Sequence, residues 1–313
     1  MFKILRIKYS SSMINNSTRQ IPKVLRIEPS SSCNFQCIHC PTGLNLNESL
    51  GIMSSETFNQ IFEQIKNYKF DVIVLYHGGE PFLNRRFFEM AKKLKPLTKR
   101  LRTTTNGSLL DDEIIKQLID MEFDEIDISL DGMSIEENNL IRIGSDYEKI
   151  SKRIINLVKF RNVKNSKVPK ITIANTQIPS NDDIEENAKV PHHMLETFKD
   201  IKDDIVFSPF YTIQWPGMPE KNYPMIKPKG NFCDHIVNTI TIRWNGDVVP
   251  CCYDLINSMV MGNILTEKLP KIWNNSKYQK MRNDIENKNP PDLCKNCHVL
   301  YGFKKARTNK FTH

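Results

Sequence analysis

Residues 33–40 read CNFQCIHC, which places Cys33, Cys37, His39 and Cys40 within eight positions. A disulfide uses two thiols and a tetrahedral zinc site uses four donors. Three thiolates on one loop can instead ligate three corners of a four-iron four-sulfur cube. The fourth iron is then left open to a substrate or cofactor. On spacing alone zinc competes, completed by His39 or a distant residue, although joint chelation by the adjacent His39 and Cys40 is awkward.

The 313-residue chain is 39% hydrophobic, enough for a full core and for two domains. It contains no apolar run long enough to span a membrane. At its start, Lys3, Arg6 and Lys8 interrupt the apolar residues before a signal-peptide core can form. The eight cysteines are therefore expected to be metal ligands in a reducing, cytoplasmic setting rather than a disulfide framework. The net charge of +8 is dispersed, and its densest run, KKARTNK from Lys304, reads as a solvated tail. Without an aromatic-basic stripe or a reader motif, no nucleic-acid partner is expected. No membrane partner is expected either.

Outward from the cysteines the text alternates. VLRIEP, DVIVLYHG, RLRTTTNG, EIDISLDG, KITIANTQI and DIVFSPFYTI predict six strands. Between them, Phe58, Ile61, Phe62 and Ile65 fall at helical spacing, as do Ile150, Ile154, Leu157 and Val158. Strand-helix alternation predicts parallel strands with right-handed crossovers. Six units are too few for a closed eight-stranded barrel, so the expectation is an open partial (β/α)6 barrel. CNFQCIHC, GGEP, NG and DG each follow a predicted strand, so four loops should converge at the carboxyl ends, where ligands sit in such folds. WPGMPEKNYPMIKPKG then breaks the pattern as a proline-rich linker. The expected organisation is an N-terminal extension (1–20), a core domain (21–215), the linker (216–232) and a small C-terminal domain with a basic tail (233–313).

The CxxxCxxC loop after a first strand, with GGEP after the second, resembles the radical S-adenosylmethionine superfamily over residues 21–178. The resemblance implies that Cys33, Cys37 and Cys40 hold a 4Fe–4S cluster whose open iron is chelated by S-adenosylmethionine. Reductive cleavage then gives a 5′-deoxyadenosyl radical that takes a hydrogen atom from the substrate. It further implies that the backbone of Gly78, Gly79 and Glu80 meets the methionine ammonium, glycine allowing the close approach. Ser129 and Asp131 are expected beside the ribose and methionine, and Arg142 on the carboxylate as a two-pronged donor. Thr105 and Asn106 are expected only near the cofactor, and His77, His192 and His193 as structural or exposed residues.

Beyond the linker, Cys233 is followed by twelve residues, Gly246, four residues and Cys251, and the pair Cys294 and Cys297 comes later. The pattern resembles the SPASM and twitch domains. It implies an auxiliary 4Fe–4S cluster on Cys233, Cys251, Cys294 and Cys297, fully ligated, with zinc the rival for these four taken alone. No cysteine follows Cys297, so one auxiliary cluster is expected. Cys252 is left over, either as a packed neighbour or as a hydrogen donor to a substrate radical. Two reactions follow: oxidation of a C–H bond in a small substrate such as a sugar or cyclitol, or modification of a peptide or protein by crosslinking, epimerisation or formylglycine formation. With little chain before the first strand, no separate leader-binding domain is expected, and the single auxiliary cluster resembles the aminocyclitol-dehydrogenating branch; both lean toward the small substrate. A flavodoxin or ferredoxin is the expected electron donor.

Overall fold

The computed structural model describes residues 21–47, 49–178, 188–212, 215, 231–295, 297 and 300. The expected N-terminal extension, the basic tail and nearly all of the expected linker lie outside these residues.

The strands, in chain order, are β1 (Val24–Ile27), β2 (Gln36–Cys37), β3 (Phe70–Leu75), β4 (Thr98–Thr105), β5 (Glu125–Ser129) and β6 (Arg142–Ile143). They continue with β7 (Lys170–Gln177), β8 (Ile205–Tyr211), β9 (Thr239–Ile242), β10 (Asp247–Val249) and β11 (Gly262–Asn263). The helices are α1 (Ser55–Ile65), α2 (Phe87–Leu94), α3 (Asp112–Asp120), α4 (Ile135–Ile141), α5 (Tyr147–Val163), α6 (His192–Thr197), α7 (Asp234–Asn238), α8 (Leu269–Trp273) and α9 (Ser276–Glu286).

All six predicted strands form, and they pair in parallel in the order β1-β3-β4-β5-β7-β8. The crossover helices start where side chains satisfy free amides. Ser54 Oγ accepts from Thr57 N at 3.1 Å, Asp111 Oδ1 from Ile114 N at 2.9 Å and Asp146 Oδ1 from Lys149 N at 3.0 Å. Strand alternation splits the two faces of the sheet. One face sends Leu25, Ile27, Ile73, Leu75, Leu101, Ile126, Ile128, Ile171 and Ile173 into the main core with the helices. The other carries Val24, Val72, Val74 and Tyr76 together with the polar side chains of Arg26, Arg102, Glu125 and Asp127. It is the inner face of the partial barrel.

The C-terminal segment does not stand apart from this sheet. β9 pairs in parallel with β1, Val24 opposite Thr239 and Ile27 opposite Ile242. β10 and β11 extend the same sheet antiparallel, giving nine strands in the order β11-β10-β9-β1-β3-β4-β5-β7-β8. Nothing in the sequence pattern had placed the second cysteine group on the free edge of β1.

One buried acid holds this junction. Glu28, which follows β1, is fully buried. Its Oε1 accepts from Gly78 N at 3.0 Å and lies 3.1 Å from His77 Nδ1, while Oε2 accepts from Arg243 Nε at 3.3 Å and Trp244 N at 3.2 Å. Burial alone would raise its carboxyl, but His77, Arg243 and the Trp244 amide outweigh it and hold the group below the usual carboxylate range. Arg243 and Trp244 also reach the return arm of the cysteine loop. Arg243 Nη2 donates to Ser49 O at 3.1 Å and Trp244 Nε1 to the same oxygen at 3.2 Å. Gly51 is required there, because a Cβ would lie 2.5 Å from the Trp244 ring.

Glu28→Ala strands a fully buried Arg243 and is expected to cost about 3–5 kcal/mol in urea unfolding of the cluster-free protein. Lys99→Ala, in an exposed pair with Asp71, is expected to cost under about 1 kcal/mol. Equal, small losses in both variants would contradict the role given to Glu28.

Candidate active site

The cysteine loop is fixed from both sides. Ser31 N donates to Gly51 O at 2.9 Å, and Met53 N to Pro29 O at 2.9 Å, closing its two arms. In the middle, β2 pairs antiparallel with β6, which sets Cys37 opposite Arg142. Cys37 is buried, and Cys33 and Cys40 are half-buried. Burial pushes the Cys37 thiol up to about 12, against the pull of Arg142, with Cys40 and Cys33 raising it further. Burial likewise raises Cys33. Thiols in this setting stay protonated at neutral pH until a metal takes the proton's place, as ligation demands.

The GGEP loop packs directly on the cysteine loop. Thr42 Oγ1 donates to Gly78 O at 2.7 Å, and Glu80 N donates to Ser32 O at 2.9 Å. A Cβ on Gly79 would lie 2.3 Å from Ser32 O and 2.6 Å from Ser30 O. The need for glycine thus arises from loop-on-loop packing, whereas the sequence suggested only approach by a cofactor. The Glu80 side chain turns inward. Its Oε1 accepts from Thr105 Oγ1 at 2.8 Å and Phe82 N at 3.2 Å, and its Oε2 accepts from Asn106 N at 2.8 Å. Asn106 then donates to Asn34 Oδ1 at 2.9 Å and lies 3.8 Å from Cys33 Sγ. Three of the four loops read from the sequence are therefore joined through Glu80 and Asn106.

The fourth loop brings Asp131. Its Oδ2 accepts from Arg142 Nη1 at 2.7 Å and lies 3.7 Å from His39 Nε2, and its Oδ1 accepts from Thr176 N at 2.9 Å. Burial would raise this carboxyl, but Arg142 and then His39 hold it below its ordinary range. His39 therefore faces an acid. Arg142, expected on the cofactor carboxylate, caps α4, opens β6 and is buried. One arm of its fork is committed to Asp131, while its Nε is buried with no partner. Ser129 sits half-buried at the end of β5.

The second set is assembled from three places. Cys233 precedes α7, Cys251 follows β10, and Cys294 closes a short turn from which Cys297 N donates to Cys294 O at 3.2 Å. Arg282 braces the set. Its guanidinium lies 4.2 Å from the centre of the Trp273 ring, and it donates to Ile236 O at 3.1 Å and Trp273 O at 3.0 Å. Burial raises Cys251, and the negative charge of Cys252, Cys297, Cys233 and Cys294 raises it further. Burial also pushes Cys233 up to about 12. The four expected ligands thus feel one another electrostatically, and Cys252 is half-buried.

Among the described residues, no three His, Cys, Asp or Glu side chains sit so as to hold a single metal ion. Zn–S distances of about 2.3 Å bring tetrahedral sulfurs to about 3.8 Å of one another. A cube spreads its thiolates over separate irons. The unpartnered Arg142 Nε supplies a buried donor beside the first set, whose Cys37 it faces across the β2–β6 pair.

A model of the Radical SAM superfamily matches residues 27–189, more than half of the chain. The chain belongs to the radical SAM superfamily. An iron-sulfur cluster-binding domain, SPASM, matches residues 233–298. The protein is accordingly an enzyme of the kind that works with S-adenosylmethionine, a 4Fe–4S cluster and an auxiliary cluster. It is 26% identical over 302 residues to the tungsten-containing aldehyde ferredoxin oxidoreductase cofactor-modifying protein of Pyrococcus furiosus, covering 83% of each chain. It is 23% identical over 280 residues to the S-adenosyl-L-methionine-dependent 2-deoxy-scyllo-inosamine dehydrogenase of Niallia circulans, covering 88% of this chain and 92% of that one. Among solved structures, anSMEcpe with bound AdoMet superposes with a TM-score of 0.62 at 20% identity, covering 85% of this chain and 84% of that chain. BtrN in complex with AdoMet and 2-DOIA superposes at 0.56 and 20% identity, covering 88% and 93%. Both share the fold.

Glu28, Arg243, Tyr76 and Arg26 were not marked as site residues by their sequence. The available signal for Glu28 was an acid closing an otherwise apolar strand, VLRIE, in the middle of a sheet, where a charge needs partners.

Burial pushes the Glu80 carboxyl up to about 7 from an ordinary 4.5, against the Asn106 and Phe82 amides and the Thr105 hydroxyl. The folded protein therefore holds this proton more tightly than the unfolded chain. The stability it contributes is full below about pH 4.5 and is lost as pH rises through about 7. Glu80→Gln, which cannot ionise, is expected to flatten the fall in urea midpoint of the cluster-free protein between about pH 5 and 8. Parallel slopes in the two proteins would show that Glu80 does not titrate there.

Proposed function

We propose that this enzyme carries out a two-electron oxidation of a C–H bond, such as that of a secondary alcohol, in a small substrate. The observation that carries the reading is the convergence of Cys233, Cys251, Cys294 and Cys297. Four thiolates on one cube leave no iron free for substrate, so electron transfer is the role left to it. The likeness to a cyclitol dehydrogenase over nine-tenths of that enzyme's length supports the same reading.

In this account Cys33, Cys37 and Cys40 would hold the first cluster. The backbone of Gly78, Gly79 and Glu80, with Ser129, Asp131 and Arg142, would line the S-adenosylmethionine site. When bound, the first cluster and S-adenosylmethionine supply the 5′-deoxyadenosyl radical that removes a hydrogen atom from the substrate carbon. The chain's own residues orient and insulate. Asp131 fixes the Arg142 fork so that its free Nε is presented without a rotameric search. Glu80 and Asn106 keep the loops closed around Cys33. Cys233, Cys251, Cys294 and Cys297 would hold the second cube, which would supply an acceptor for the one electron that a substrate radical must still give up, together with a proton, to complete a two-electron oxidation. A flavodoxin or ferredoxin would reduce the enzyme, in the cytoplasm.

The test is a panel of polyols, sugars and peptides deuterated at carbon, incubated with reduced enzyme and S-adenosylmethionine. The expected result is deuterium in 5′-deoxyadenosine, with one S-adenosylmethionine consumed per oxidised product. Label transfer giving an epimer, a crosslink or another product without oxidation of a small substrate would replace this reading with peptide modification, and would make Cys252 the residue to mutate.

A further inference from the structure

The inner face of the sheet holds three arginines, and two of them are paired. Arg100 Nη1 lies 3.3 Å from Glu125 Oε1, while Arg102 reaches Glu125 at 3.0 Å and Asp127 at 2.9 Å. The third, Arg26 in the middle of β1, differs. It is 8% exposed, its Nη1 donates only to Tyr76 O at 3.3 Å, and its Nε is buried without a partner. No carboxylate among the described residues forms an ion pair with it. A desolvated guanidinium without a counter-charge costs several kcal/mol, and the residue in register beside it adds to the deficit. Thr241 on β9 pairs with Arg26, so its side chain stands on the same face, and its hydroxyl is fully buried without a hydrogen bond.

The position matters as much as the missing charge. β1, which carries Arg26, runs into the loop of Cys33, Cys37 and Cys40, and Tyr76, whose carbonyl accepts from Arg26, leads into the glycine loop packed on it. β9, in register beside Arg26, leads through β10 into the segment of Cys251 and Cys252. Tyr76, Cys252 and Tyr253 are half-buried, whereas Arg26 is nearly buried. It lies between the two cysteine sets, where a substrate must sit to lose hydrogen on one side and an electron on the other.

We propose that Arg26 and Thr241 form the seat for an anionic oxygen group of the substrate, a carboxylate or a phosphate. A guanidinium offers only donors and a positive charge, and the neighbouring hydroxyl can turn its proton to the same acceptor. The pair complements an oxyanion, leaves a neutral polyol under-recognised and repels an amine. The inference rests on the oxidation reading for the substrate's location and narrows the class to acidic small molecules.

The test uses full-length protein with both clusters reconstituted and reduced, S-adenosylmethionine bound, and two probes, inorganic phosphate and acetate. An anion seated between paramagnetic clusters relaxes faster, so the 31P line of phosphate and the methyl line of acetate report occupancy. Saturable broadening of at least one probe is expected, and the probe that saturates at lower concentration names the group. Arg26→Gln is expected to weaken that binding by about tenfold or more, the worth of a charge-assisted hydrogen bond. Arg100→Gln is expected to match the wild type. If Arg26→Gln does not load its clusters, Thr241→Val serves instead, with an expected weakening of about threefold or more. Broadening by neither anion, or broadening unchanged in the Arg26 or Thr241 variant, overturns the proposal. An oxidised product without an anion seat sinks this inference alone, and an anion seat with an epimerised product sinks only the oxidation reading.

Discussion

A carboxylate in the interior must find donors, and the way Glu28 finds them organises this molecule. It follows β1 with no exposure to solvent. Its partners come from the two segments that flank that strand in space, His77 and Gly78 after β3 and Arg243 and Trp244 after β9. Each oxygen serves one side. The loop that closes over the first cysteine set and the hairpin that carries the second are therefore registered against the same few atoms. Parallel pairing of β9 with β1 gives the coarse alignment, and Glu28 adds a charge-assisted lock that no neutral residue of that size supplies. The two cysteine sets are thereby held in fixed register on one sheet.

The same economy of charge recurs around the site. Asp131 is held ionised by Arg142 and His39, Glu80 is held among three donors, and the Arg100, Arg102, Glu125 and Asp127 group neutralises itself. Against this background the unpartnered Nε atoms of Arg26 and Arg142 stand out. Each would account for its missing partner if a ligand brings one.

The core of this arrangement could be read from sequence because it is local. Period-two runs such as VIVL and IDIS formed strands, the 3.6-residue spacing of Phe58, Ile61 and Ile65 formed a helix, and the loops bearing cysteine, GGEP, NG and DG met at the carboxyl ends. What escaped was long-range and lacked a motif. Glu28 and Arg243 are 215 positions apart, and nothing in either neighbourhood announces the other. The ladder that sets Arg142 opposite Cys37 could not be read, because the two-residue β6 is too short to show a period. Gly79 was singled out for approach by a cofactor, but its crowding comes from the Ser30–Ser32 backbone, a contact visible only once the loops are stacked.

The central claim is that the two cysteine sets hold two separate cubes. It is tested most directly by counting iron and acid-labile sulfide in anaerobically reconstituted protein and in a Cys33→Ala, Cys37→Ala, Cys40→Ala variant. The account predicts about eight irons and eight sulfides per chain in the first and about four of each in the second, with the remaining signal that of a fully ligated 4Fe–4S cluster. Stoichiometric zinc without iron, or an iron content that the triple replacement leaves unchanged, would contradict it.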